Sequence, residues 1–206
     1  MQIDVIFQIV ILIFSVIIHE ISHGFMALYF GDKTAQYEGR LTLNPIKHLD
    51  WFGSIFLPLI LYITHAGFMI GWAKLVPYNP YNLRNRNVAE PLISLAGPAS
   101  NFFVAIIFGL IIRGLLYFGF YTSSLISIFG FVVLVNVSLA IFNLLPVPPL
   151  DGSKIFFFFL PPKAKYKFFN MSEKYGLIIL LFVVMFLPNF ISPIILSLSK
   201  FIMGIN

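Results

Sequence analysis

The sequence has no cysteine and few charged residues, and both shortages limit what the protein can be. Only 10% of its 206 residues are charged, against about 25% in a typical soluble domain. The absence of cysteine excludes disulfides and thiolate metal ligands, so any zinc site must use His and Asp or Glu. Hydrophobic residues make up 59% of the chain, a composition typical of a polytopic membrane protein.

The charge balance does not indicate nucleic-acid binding. The net charge of +5 comes from 13 basic and 8 acidic residues, and the basic residues fall mainly between apolar runs, where the positive-inside rule explains them. The sequence shows no Gly/Ser-rich linker, no internal repeat and no separate soluble domain. We therefore expect a single membrane-embedded domain over residues 1–206, with the lipid bilayer as a partner and no nucleic acid.

The apolar runs predict an all-α polytopic membrane protein with about four transmembrane helices. The helices are expected over residues 5–30, 92–118, 125–145 and 176–198, the last of them interrupted by Pro188 and Pro193. A further apolar segment near 52–71 is interrupted by glycines and by Pro58, so that it either crosses the membrane or dips in and returns as a re-entrant segment.

The basic residues favour a re-entrant path for 52–71. If this segment spans, the two sides of the membrane carry 8 and 5 basic residues; if it re-enters, they carry 11 and 2. The positive-inside rule favours the second arrangement. We expect a multi-pass protein of the prokaryotic plasma membrane.

One apolar run contains the sequence His19-Glu20-Ile21-Ser22-His23. An acidic residue at a membrane centre costs roughly 2.5–3.5 kcal/mol on insertion scales, so such residues are functional by default. Positions i and i+4 of a helix share a face, so His19 and His23 can bind one zinc ion. Glu20 is then placed to act on a zinc-bound water. With the re-entrant path, we expect this active site to lie nearer the cytoplasmic side of the membrane. A pair of hydrogen-bonded core histidines is the structural alternative, but the predicted helix offers Glu20 no basic partner.

Two histidines need a third ligand from elsewhere in the chain. The candidates are His48, His65, Asp50, Glu90 and Asp151. Asp151 follows a run of prolines (Pro146, Pro148 and Pro149) that cannot continue a helix, and its carboxylate can reach sideways into a site. An ordinary Asp-Gly surface turn is the alternative, and His48 is expected to make only a structural hydrogen bond.

Two motifs together resemble the site-2 protease family of intramembrane zinc metallopeptidases. They are H-E-x-x-H at 19–23 and N-x-x-P-x-P-x-x-D-G at 143–152, both complete. The segments at 97–101 (Gly-Pro-Ala-Ser-Asn) and 71–74 (Gly-Trp-Ala-Lys) are also similar to the family's. The chain resembles the minimal form of the family, without a PDZ domain.

The resemblance implies a function and a site. It implies that Zn2+ is held by His19, His23 and Asp151 and that Glu20 is the general base. It also implies that the protein hydrolyses peptide bonds in or next to transmembrane segments of membrane-protein substrates. Asn143 is expected to hold the substrate backbone or the developing oxyanion, although a helix-capping role is open. The segment Phe68–Val76 is the candidate for a strand edge that an extended substrate pairs with.

Two other classes of protein stay open. A metal transporter would show polar residues along several helices and an inverted repeat, and the sequence shows neither. An inactive relative that binds zinc or a partner helix would usually have lost Glu20 or a ligand, and all are present.

Overall fold

The computed structural model describes residues 5–56, 59–60, 63–64, 73–120 and 122–205. These residues form helices and irregular connections with no strand among them, which confirms the predicted all-α class. The helices are α1 Val5–Tyr29, α2 Thr34–Tyr37, α3 Arg86–Phe118, α4 Ser123–Asn143, α5 Asp151–Phe158, α6 Pro162–Phe186 and α7 Pro188–Met203. Shorter helical turns cover Pro45–His48, Trp51–Phe56 and Pro80–Asn82.

Three of the described helices, α1, α3 and α4, are long and apolar enough to cross a membrane. Their outward faces leave large apolar side chains exposed, among them Phe7 on α1 and Phe103 on α3, as expected of surfaces that face lipid. The chain is therefore a multi-pass integral membrane protein.

The last predicted helix, 176–198, is wrong in its bounds. The structure has two helices there, α6 and α7, which meet at Leu187. Pro188 starts the second helix because proline lacks an N–H and suits the first turn of a helix better than its interior. Conversely, α3 begins at Arg86, earlier than predicted, and carries Pro91 and Pro98 within it.

Hydrogen bonds between the three long helices fix their relative directions. His23 near the end of α1 contacts Ile93 near the start of α3, whereas His19 contacts Asn101 further along α3, so these two helices are antiparallel. Ser15 contacts Asn136 of α4, and Asp151, which follows α4, lies beside His19. Helices α1 and α4 are therefore parallel.

The connection between α1 and α3 starts and ends on one side of the helix bundle. The Arg84 N–H donates to the Phe30 carbonyl at 2.8 Å, so the two ends of this connection touch. A net crossing between them would place these ends on opposite sides. Much of segment 52–71 falls outside the described residues, so its re-entrant path stays a prediction. The contact between the two ends of the connection agrees with that prediction.

Asp32 ties the two ends of the connection together. Its side chain is buried, and Oδ1 accepts hydrogen bonds from the Thr34 N–H and hydroxyl and from the Asn82 side-chain amide. Oδ2 accepts from the Asn79 N–H at 2.8 Å. Burial raises the pKa of Asp32, but hydrogen bonds from Thr34, Asn82 and Asn79 lower it by more, so the pKa lies below its ordinary value.

Asp32→Asn should destabilise this connection. The new amide group would face N–H donors, and each buried donor left unpaired costs about 1–3 kcal/mol. We expect a lower thermal unfolding temperature in detergent and faster proteolysis near Asn79 and Asn82, which Asp32 contacts. Glu38→Gln, which changes an exposed acid of the same connection, is the control and should change neither.

The pH dependence has a definite sign. A carboxylate with a lowered folded-state pKa stabilises the fold above its unfolded-state pKa of about 4, and loses that effect as the pH falls through the folded-state value. The stability difference between wild type and Asp32→Asn should therefore be full at pH 7 and shrink at pH values below about 4. An unchanged difference at low pH would contradict this account.

Candidate metal centre

Two histidines of α1 and one aspartate of α5 converge at one point. The rings of His19 and His23 face each other with centroids 4.7 Å apart, as expected for residues one helical turn apart. Asp151 is the first residue of α5, and its Oδ2 lies 3.1 Å from His19 Nε2 and 3.2 Å from His23 Nε2. The three ligand atoms lie within 4.8 Å of one another, and no other such cluster of potential metal ligands occurs among the described residues.

The opposite nitrogen of each ring shows which nitrogen carries the proton. His19 Nδ1 donates to Asn101 Oδ1 at 2.6 Å, and His23 Nδ1 donates to the Ile93 carbonyl at 2.6 Å. Because each of these partners accepts, both Nδ1 atoms must carry the hydrogen. In the neutral imidazoles the Nε2 lone pairs are then free, and both point toward Asp151.

This donor set fits a divalent cation. When both rings are neutral, two imidazole lone pairs and a carboxylate oxygen converge here, and they repel one another unless a cation lies among them. Tetrahedral zinc, with ligands at about 2.0–2.2 Å, places neighbouring ligand atoms about 3.4 Å apart. The distances from Asp151 Oδ2 to the two Nε2 atoms, 3.1 Å and 3.2 Å, are close to that value. Two His and one carboxylate are also a common ligand set of catalytic zinc, which leaves a fourth position open.

Helix α3 forms the wall behind the two imidazoles, and only glycine fits at the contact. A Cβ at Gly97 would lie 2.5 Å from His23 Nε2 and 2.6 Å from His19 Nε2. These are the ring atoms that face Asp151. The missing side chain therefore lets α3 approach α1 closely and leaves room for the ligand atoms.

A buried polar network supports His19 from behind. Asn101 accepts from His19, and its own amide donates to the Ser15 carbonyl at 3.1 Å and to Asn136 Oδ1 at 2.8 Å. The Asn136 amide donates to the Ser15 hydroxyl at 2.9 Å. Both asparagines are fully buried. Because the Ser15 carbonyl can only accept, the amide orientation of Asn101 is fixed, and with it the tautomer of His19.

Glu20 lies beside the cluster and has a partner that the sequence did not predict. Its side chain is only 7% exposed, and Oε2 accepts a hydrogen bond from the Val76 N–H at 3.0 Å. Helix α1 supplies no basic residue, as expected, and a backbone amide of residues 73–79 serves instead. The carboxylate is thereby held in one orientation.

The structure does not bring Asn143 into the cluster of ligand atoms. It is the last residue of α4, and its amide donates to the Leu139 carbonyl of its own helix at 3.0 Å. The side chain is partly buried. Its predicted contact with substrate stays a prediction.

The other candidate ligands are engaged elsewhere. His48 donates from Nε2 to the Thr42 carbonyl at 2.8 Å, the structural hydrogen bond expected of it. Asp50 accepts from the Gly53 N–H, and Glu90 pairs with a neighbouring arginine of α3. His65 lies outside the described residues.

Sequence reasoning missed several residues that support the site. Asn101 and Asn136 each lie in the middle of a predicted transmembrane helix, where an amide is energetically costly unless it is hydrogen-bonded. That cost could have singled them out. Gly97 and Asn101 fall in the 97–101 segment whose similarity to the family was noted, but their contacts with the histidines were not foreseen. Nothing in the sequence indicates that Val76 meets Glu20.

Comparison with known proteins agrees with this geometry. The sequence profile of peptidase family M50 matches residues 118–187. YwhC of Bacillus subtilis, a candidate zinc metalloprotease by its name, is 41% identical over 193 residues, which cover 91% of this chain and 81% of the relative. The chain belongs to peptidase family M50, the site-2 protease family. It is a membrane zinc metalloprotease, and its cofactor is Zn2+.

Two more distant relatives carry similar names. Rip2 of Mycolicibacterium smegmatis is 33% identical over 67% of this chain and 51% of its own length. MJ0611 of Methanocaldococcus jannaschii is 31% identical over 68% of this chain and 63% of its own length. Both are named as candidate zinc metalloproteases. No solved structure gives a significant match to the chain.

Gly97→Ala should strongly weaken zinc binding by this M50 protein. The added methyl group would overlap the Nε2 atoms of both histidines, so the rings must turn away from Asp151. We expect at least a tenfold loss of zinc affinity, measured by chelator competition, and a matching loss of protease activity. Gly114→Ala is the control on the same helix, because a Cβ there meets nothing within 4 Å. Equal zinc affinity in the two variants would contradict the packing argument.

Asn101→Leu should weaken zinc binding without removing a ligand. Leucine is close to asparagine in size but cannot accept the His19 Nδ1 hydrogen, so the ring loses its fixed orientation. Loss of such a partner typically costs 10–100-fold in metal affinity. Ser100→Ala, which removes a hydroxyl that donates to the Gly97 carbonyl of its own helix, should retain wild-type affinity.

Proposed function

We propose that this membrane zinc metalloprotease hydrolyses peptide bonds in or next to transmembrane segments of membrane-protein substrates. His19, His23 and Asp151 hold the zinc ion in this proposal, and Glu20 is the general base. The observation that carries it is the convergence of these three ligand atoms, two of them on α1, beside the buried Glu20 of the same helix, which is apolar and long enough to span a membrane.

The position of the site along α1 supports a substrate within the membrane. His23 and His19 lie six and ten residues before the end of α1 at Tyr29. At 1.5 Å per residue these positions are about 9 Å and 15 Å inside that end of the helix. The hydrocarbon core is about 30 Å thick, so a scissile bond that reaches the site lies at or below the membrane surface.

The chain's own residues divide the chemistry among them. Bound zinc supplies a Lewis acid that polarises the scissile carbonyl and lowers the pKa of a bound water to about 7. Glu20 takes the proton of the attacking water and returns it to the nitrogen of the leaving amine. The Val76 N–H keeps the Glu20 carboxylate turned to one side, which reduces the orientations it must sample before proton transfer.

Asn143 is proposed to bind the substrate. It ends α4, eight residues before Asp151, at the same end of the bundle as the ligand cluster. A side-chain amide offers donors and an acceptor to an unwound substrate strand, whose backbone groups would otherwise be unsatisfied in lipid. Its bond to the Leu139 carbonyl uses one donor of the amide.

The proposed edge for substrate pairing needs adjustment. Residues 68–72 of the predicted edge lie outside the described residues. In the remainder, the Lys74 N–H donates to the His48 carbonyl, and the Val76 N–H donates to Glu20. These two donors are therefore engaged within the chain, and an extended substrate must pair with other groups of the 68–76 segment.

We further propose that residues 1–206 act as one membrane-embedded protease domain in a prokaryotic plasma membrane. The charge distribution supports a site nearer the cytoplasmic face. Arg84 and Arg86 stand at the start of α3, at the end of the bundle that holds His23, and the positive-inside rule assigns that end to the cytoplasm.

The test is cleavage of a tagged transmembrane segment, with a helix-breaking Gly-Pro pair near its end, by purified protein in detergent. Wild type should cut it, and removal of zinc by a chelator should stop the reaction until zinc is restored. Glu20→Gln should retain wild-type zinc content and lose at least 100-fold in rate, since general-base assistance contributes about 10²–10⁴. Glu38→Gln, which neutralises an exposed acid, should cut normally.

Two results would count against the proposal. If wild type and Glu20→Gln bind zinc equally and neither cuts any of several helix-destabilised segments, the chain binds zinc without being an intramembrane protease. If wild type cuts a soluble unfolded protein as fast as the transmembrane segment, the substrate class is wrong although the protease assignment stands.

A further inference from the structure

Arg40 is a buried cation that the proposed mechanism does not use. Its side chain is only 4% exposed, although it lies in the connection that follows α2. A buried guanidinium is costly unless its donors are paired. No ion pair to Arg40 occurs among the described residues, and its recorded partners are backbone carbonyls.

Those carbonyls lie next to the general base. Arg40 Nη2 donates to the Lys74 carbonyl at 2.6 Å and to the Leu75 carbonyl at 3.1 Å. The Leu75 carbonyl and the Val76 N–H belong to one planar peptide group, and this same N–H donates to Glu20 Oε2 at 3.0 Å. Arg40 and Glu20 therefore bind opposite ends of a single peptide unit.

This arrangement can transmit both position and charge. A peptide group is rigid, so fixing its oxygen with a guanidinium also fixes the direction of its N–H. A cation on the carbonyl oxygen strengthens the hydrogen bond that the N–H donates, since hydrogen bonds in a chain polarise one another. Both effects hold the Glu20 carboxylate where the Val76 amide places it.

The packing around Val76 has room for this contact because α1 carries a glycine there. A Cβ at Gly24, one turn after Glu20, would lie 2.8 Å from Val76 Cγ1 and 2.5 Å from Leu41 Cδ2. The segment around Val76 can therefore lie directly against α1. The Lys74 N–H, bonded to the His48 carbonyl at 2.9 Å, secures the same segment from the other side.

We propose that Arg40 is a positioning residue for Glu20 and acts through the Leu75–Val76 peptide. It touches neither the metal ligands nor, in this proposal, the substrate. The inference rests on the proposed role of Glu20 as general base. If it holds, loss of the guanidinium slows the chemical step and leaves zinc binding and substrate binding intact.

The experiment measures kcat, KM, zinc content and unfolding temperature with the tagged transmembrane segment described above. Arg40→Gln should lower kcat about 10–100-fold, the range expected when a reacting group is misplaced by about 1 Å, with KM within twofold and zinc content unchanged. Arg40→Lys keeps the charge, but its ammonium reaches less far and lacks the planar guanidinium that spans the two carbonyls, so its kcat should fall between those of Arg40→Gln and wild type.

Two control variants separate this role from general effects. Arg86→Gln removes an exposed arginine that pairs with Glu90, and it should behave as wild type. Asp32→Asn loosens the same connection at Asn79, three residues beyond Val76, without touching the Leu75–Val76 peptide. It should lower stability and leave kcat within twofold of wild type.

Several results would overturn the inference. One is a raised KM at unchanged kcat, because Arg40 would then support substrate binding; another is a kcat loss in Asp32→Asn equal to that in Arg40→Gln. Zinc content that falls in step with activity would assign Arg40 to the metal site. If Arg40→Gln cannot be purified, Arg40→Lys decides: a severalfold lower kcat at wild-type KM and zinc content supports the inference, and a wild-type kcat overturns it.

Wild type and Glu20→Gln are measured in the same series, so the two proposals fail in different ways. Cleavage by wild type and none by Glu20→Gln leaves the proposed function standing whatever the Arg40 variants do. Absence of cleavage by wild type removes the proposed function, and the role of Arg40 with it.

Discussion

The constraint on which the structure depends is the convergence of two imidazole lone pairs and a carboxylate inside an apolar helix bundle. Groups of this kind repel one another unless a cation lies among them, and desolvation makes that repulsion stronger. The surrounding fold must therefore orient both rings. Asn101 and the Ile93 carbonyl do so from α3, and Gly97 provides the space between them. Helix α3 thus sets the geometry of a centre to which it contributes no ligand.

The directions of the helices follow from the same constraint. Asp151 can meet His23 only if the end of α4 lies near the end of α1, which requires these helices to run parallel. Helix α3 runs antiparallel to both α1 and α4. The connection from α1 to α3 must therefore return to the side of the bundle from which it started. Residues 31–85 are that connection, and the contact between Phe30 and Arg84 closes it. The return of the chain is what brings Val76 to Glu20.

The sequence was most informative where a polar or charged residue lies in an apolar segment, because burying such a residue there is energetically costly. Two histidines and a glutamate in an apolar run have few explanations, so the ligand set could be proposed from spacing and from a second motif at Asp151. The supports of these residues were less visible, because Asn101 and Ile93 lie 70 or more residues from the histidines that they orient. Such contacts depend on how the helices pack, which a local pattern does not encode. Pro188 marks the break at Leu187 in the sequence, but it was interpreted as an interruption within one helix and not as the start of a second one.

The two halves of the centre are supported by different parts of the chain. The two histidines are oriented from within the bundle, where the fully buried amides of α3 and α4 form the network behind His19. A change in one of these packed helices disturbs its neighbours. Glu20 is instead held by the irregular connection between α1 and α3. Two buried charged residues, Asp32 and Arg40, stabilise this connection through hydrogen bonds with backbone groups. Because these supports do not share residues, the path of the connection can vary while the ligand geometry stays fixed. The position of Glu20, the proposed general base, therefore depends on contacts that are separate from those that orient the two histidines.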